Sequence, residues 1–147
     1  MKTKLTTLAL SLVTALALAH SGVELGPNGG RILEFSKNET LHGEVTVKGD
    51  QFHITLLDKD MKPVAIAGEM LTATGGTREK PVNLQVTKTG KGFTLPLVKP
   101  GQWLILQFKA GEKSKPVTAR MEYNTDNCDG CNSAEWLCKC KPDAEKK

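Results

Sequence analysis

Apolar and polar residues alternate along most of this chain with a period of two, the spacing of a half-buried β-strand rather than a helix. Leu41, Gly43, Val45 and Val47 interleave with His42, Glu44, Thr46 and Lys48. After a Gly49-Asp50 turn, Phe52, Ile54 and Leu56 interleave with His53, Thr55 and Leu57. This predicts a β-hairpin with one buried face and one wetter face. Further strands are expected at Arg31–Phe35, Val64–Ala67, Glu69–Thr74, Val82–Thr87, Gly92–Leu95, Trp103–Lys109 and Val117–Tyr123. Turn-forming residues separate most of them, among them Gly75-Gly76, Thr89-Gly90-Lys91-Gly92, Lys99-Pro100-Gly101 and Ala110-Gly111. About nine short strands with regular turn signals predict an all-β fold, an antiparallel sandwich of immunoglobulin-like size.

The first residues break the pattern. A short basic start, Met1-Lys2-Thr3-Lys4, leads into an apolar run from Leu5 to Leu18, and small residues close it at Ala17-Leu18-Ala19. This reads as a secretory signal peptide over residues 1–19, too short and wrongly flanked for a membrane span. Cleavage after Ala19 makes His20 the first mature residue; cleavage after Ala17 is the second choice. No other stretch is long or apolar enough to cross a bilayer. The product is expected in a bacterial periplasm or outside the cell, where exposed thiols tend to oxidise.

Removing nineteen of the 147 residues leaves 128, enough for one domain with a modest core. Lys2 and Lys4 leave with the signal, so the formal charge falls from +4 to +2. With charges of alternating sign and no basic block, nucleic-acid binding has no support.

Composition shifts again near Tyr123. Asn124-Thr125-Asp126-Asn127 is turn-prone, and all four cysteines of the chain follow: Cys128-Asp129-Gly130-Cys131, then Cys138-Lys139-Cys140. The expected organisation is a β-sandwich over residues 20–124 and a short cysteine-rich C-terminal tail over 125–147, its Lys141–Lys147 end frayed. A Cys-x-x-Cys knuckle aims two sulfurs at one point. Six intervening residues suffice to bring the Cys-x-Cys pair back to it. Four thiolates suit structural zinc, and soft thiolates also suit Cu(I). The link between the pairs is shorter than in a zinc ribbon. The competing reading is two local disulfides in any of three pairings, which export favours. Bridges so close together would close no loop of the sandwich. Trp136 and Leu137 give the tail two apolar side chains able to dock on the body.

The histidines are His20, His42 and His53. An N-terminal His20 offers an α-amine and an imidazole to Cu(II), and His42 is the partner assigned to this second candidate site. Pairing around Gly49-Asp50 sets Thr46 opposite His53 and Leu57 opposite His42. The two strand histidines then stand about 13 Å apart at ~3.3 Å per residue, too far to share one metal. His53 lies diagonal to Glu44, within reach of a weak pair.

Gly26-Pro27-Asn28-Gly29-Gly30-Arg31 is a turn requiring positive φ just before the first strand, and it lacks the ending of a phosphate loop. Together with Ile32–Phe35, Leu41–Glu44 and Leu56–Val64, it resembles a segment found in periplasmic adaptor subunits of heavy-metal efflux pumps. The resemblance covers roughly Gly26–Val64. It implies a small exported β-domain in a metal-handling or envelope setting, without catalysis. That family often carries a histidine beside or within the turn, where Asn28 stands here. The long helical hairpin of an adaptor is missing from the sequence.

No nucleophile elbow or catalytic triad context is present, so no enzyme is expected. The sequence points to an exported metal-binding protein with Zn(II) or Cu(I) at Cys128, Cys131, Cys138 and Cys140. The alternative is a structural or interaction module with a disulfide-bonded tail, docking an envelope protein partner.

Overall fold

The alternating segments pair into two antiparallel sheets in a computed structural model that describes residues 23–140. The strands are β1 (Arg31–Glu34), β2 (Leu41–Lys48), β3 (Gln51–Asp58), β4 (Met70–Gly76), β5 (Pro81–Leu84), β6 (Thr87–Thr89), β7 (Gly92–Pro96), β8 (Trp103–Lys109) and β9 (Val117–Glu122). One sheet runs β1-β2-β3-β7-β6 and the other β5-β4-β8-β9. The expected signal peptide, His20 and the charged C-terminal end lie outside the described residues. Among the described residues, no helix is long and apolar enough to cross a membrane.

The two sheets bury their inner faces against each other, as a sandwich requires. Val45, Phe52, Ile54, Leu56, Phe93 and Leu95 come from the first sheet; Leu71, Leu104, Leu106, Phe108 and Met121 come from the second. Each such side chain contributes about 1.5–3 kcal/mol when fully removed from water. Phe35, just past β1, stacks on Phe108 of β8 with ring centroids 4.7 Å apart and ties the sheets together.

The β2–β3 register is the one the Gly49-Asp50 turn predicts, with Thr46 opposite His53 and Leu57 opposite His42. Gly49 has the positive φ, 62°, that such a turn demands.

Three local expectations are corrected. Val82–Thr87 is not one strand: β5 pairs with β4 in the second sheet, whereas β6 pairs with β7 in the first. Gln85 and Val86 carry the chain across the sandwich corner, a switch that alternation along one segment cannot reveal. Val64–Ala67 is not a strand either. Its pairing with β3 ends after the Leu57–Pro63 bridge and the Val64 N–H bond to the Leu56 carbonyl.

The third correction concerns the wetter face of the hairpin, where His42, Glu44 and Leu57 are all buried. The glycine turn is the reason at Glu44. Its Oε1 accepts hydrogen bonds from the Asn28 N–H at 2.7 Å and the Gly30 N–H at 3.0 Å, and its Oε2 accepts one from Asn28 Nδ2 at 2.7 Å. The turn thus folds onto the strand and satisfies a buried carboxylate with three donors. Gly29, at φ 73°, supplies the left-handed residue that brings those amides round.

Candidate metal centre

The tail begins where β9 ends and runs back along its own path. The Asn127–Ala134 bridge, the Cys128 N–H bond to the Ser133 carbonyl and the Asn132 N–H bond to the Cys128 carbonyl close a miniature hairpin around the first cysteine pair. Asn132 takes a left-handed φ of 59°, which asparagine tolerates better than most residues. A single 3-10 turn, Glu135–Leu137, then redirects the chain so that Cys138 and Cys140 return to the hairpin.

The four sulfurs all lie within 4.8 Å of one another. Cys138 and Cys128 are 3.2 Å apart, Cys131 and Cys138 3.5 Å, and Cys128 and Cys140 3.7 Å. Sulfurs each about 2.3 Å from a tetrahedral zinc stand about 3.8 Å from one another. The donor set and its spacing therefore suit a single soft metal ion. Gly130 is part of this geometry: a Cβ there would come 2.8 Å from the Cys140 sulfur. A side chain at that position would push the second pair off the first. The glycine inside Cys128-Asp129-Gly130-Cys131 is the signal in the sequence that marks this role.

Three of the thiols are moved from their ordinary range, and not in the same direction. The Cys131 thiol is brought down to about 6, chiefly by a backbone hydrogen bond with Ser133. Cys138 is raised, chiefly by Cys128, and Cys140 is raised, chiefly by Cys138. The Ser133 backbone and the neighbouring thiols thus favour the thiolate at Cys131. Filling the site with a metal must release the remaining protons.

Two features fix the cluster to the sandwich. Trp136 is buried with 6 % exposure and belongs to the hydrophobic core. Its ring meets Tyr123 edge-on at 5.4 Å, and Tyr123 meets Phe52 at 5.0 Å, so an aromatic chain links the tail to β3. The backbone adds the Trp136 N–H bond to the Asn124 carbonyl and the Val23 N–H bond to the Cys138 carbonyl. Arg31 Nη1 donates to the Trp136 carbonyl at 3.4 Å, and burial lowers the pKa of its guanidinium.

The cluster is open on one side. Cys128 is buried, whereas Cys138 and Cys140 border a cleft of about 550 Å³. Arg31, Trp103, Arg120, Glu122 and Glu135 also line it. The sequence gives no sign that Arg31, Trp103, Arg120 and Glu122 share a cleft, because they come from β1, β8 and β9 and meet only in the fold.

The second candidate site fares differently. His20 lies outside the described residues. His42 is buried on β2 with Nδ1 against Glu34 Oε1, its register partner on β1. The expected weak pair between His53 and Glu44 is replaced by the Asn28 and Gly30 bonds to that carboxylate.

Comparison with protein-family models, with curated proteins and with solved structures returns no match.

Proposed function

We propose that this chain is an exported, non-catalytic protein of the bacterial envelope that holds one transition-metal ion at Cys128, Cys131, Cys138 and Cys140. The observation that carries this reading is the convergence of four sulfurs, drawn from two separate pairs, to within 4.8 Å. Zn(II) and Cu(I) are the ions such a donor set takes up best. Export rests on the signal-like first nineteen residues. The resemblance of Gly26–Val64 to an efflux-adaptor segment adds a metal-handling setting. His42 is left out of this site because, among the described residues, the ligand atoms that converge are those of the four cysteines.

The competing state, a disulfide-bonded tail that docks a protein partner, is separated by one experiment. Mature protein is purified from the periplasm without chelator, and its metal content and intact mass are determined. The proposal expects about one metal per chain and the mass of four thiols. A mass about 4 Da lower, with no stoichiometric metal, means two disulfides and refutes it.

A further inference from the structure

The cleft beside the cluster is unusual in what lines it. A structural zinc site is closed by its ligands and its surroundings. Here two of the four cysteines, Cys138 and Cys140, face an opening large enough for a small ligand. Arg31, Arg120, Glu122 and Glu135 share that opening, and among the described residues none of the four forms an ion pair. Trp103, 43 % exposed, adds an apolar wall.

Two cations and two anions around one cleft do not favour a bare metal ion, which the arginines oppose. They do not favour a purely anionic carrier either, which the glutamates oppose. They complement a ligand carrying carboxylates and an ammonium group together. We propose that this cleft is where metal passes to and from the cluster, and that the carrier is a small zwitterionic thiol, a cysteine-containing peptide. This rests on the metal reading of the cluster given above and names the form in which the metal is exchanged.

In that exchange the carrier's carboxylates meet Arg31 and Arg120, and its ammonium group meets Glu122 or Glu135. Its sulfur then lies beside Cys138 and Cys140. A cysteine sulfur donates an electron pair to the metal as the bond from metal to carrier sulfur breaks. The carrier sulfur leaves with the electron pair of its own broken bond and takes up the proton the cysteine gives up. The metal keeps its oxidation state, so neither oxidant nor reductant is needed. Arg31 is held for this role by its bond to the Trp136 carbonyl, two residues before Cys138.

The test loads the full mature chain with Zn(II) and confirms its stoichiometry. Zinc release into a chromophoric chelator is then timed with reduced glutathione and with 2-mercaptoethanol at equal thiolate concentration. Glutathione should act faster. Arg120→Gln and Glu122→Gln should each slow the glutathione reaction by about tenfold and leave the mercaptoethanol rate where it was. Equal rates for the two thiols, or equal slowing of both, would overturn the proposal. A chain that takes up no zinc refutes the metal reading instead. The cleft is then judged by titrating S-methylglutathione into metal-free protein: amide shifts gathered on β9 and the Glu135–Leu137 turn support zwitterion recognition, and their absence overturns it.

Discussion

The sandwich and the tail are held by different physics. The sandwich owes its shape to two paired sheets and a continuous apolar core that includes Phe52, Leu104, Leu106 and Phe108. Every one of its strands has a hydrogen-bonded neighbour. Among its described residues the tail has one three-residue 3-10 turn, one isolated bridge and a few backbone bonds. Such a segment is too short to be stable through local hydrogen bonding alone. Among its described residues, Trp136 joins the core, with Ala134 and Leu137 packed against it. The difference teaches that the four thiols need a crosslinker of their own, and the proposed metal ion would supply it. The tail is thus a site carried by a fold, with one aromatic joint between them.

Changes in the two regions should therefore report on different measurements. The largest effect belongs to replacing Cys128, Cys131, Cys138 and Cys140 together by serine. Metal content should fall to background, while urea unfolding followed by circular dichroism still shows a cooperative sandwich. Loss of that transition would abolish the division between body and site.

Trp136→Ala tests the joint. It should cost the sandwich about 3 kcal/mol of stability in the same unfolding measurement, as removal of a buried aromatic does. It should also weaken metal binding, because the cleft side of the cluster loses its anchor. A change confined to one region would show that the two are not linked through this ring.

Glu44→Gln touches the body only. The Asn28 and Gly30 amides lose a charged acceptor, and stability should fall by about 2 kcal/mol, with metal affinity unaltered. Metal affinity that falls with it would mean the glycine turn supports the tail as well.

The smallest effect is expected from Gly130→Ala. The added methyl group crowds the Cys140 sulfur, and metal affinity in a chelator competition should drop about tenfold. The unfolding midpoint of the metal-free chain should stay in place. Unchanged affinity would mean that the second cysteine pair has room to shift.

Much of this could be read from the chain. The hairpin register follows from the Gly49-Asp50 turn and the alternation on either side of it, and β8 spans the residues its pattern predicts. Alternation tells which side chains share a face. It does not tell what covers that face, so Glu44 and His42 were expected to be wetter than they are. It is equally blind to a change of partner, hence the division of Val82–Thr87 between β5 and β6. The four cysteines were legible because their spacing is local. The cleft was not, since Arg31, Trp103 and Arg120 stand on three strands far apart in sequence.

X-ray absorption at the metal edge, on mature protein purified without chelator, tests the central claim most directly. The account predicts a first shell of sulfur alone, four scatterers at about 2.3 Å for zinc. A shell dominated by nitrogen or oxygen, or fewer than three sulfurs, would contradict it.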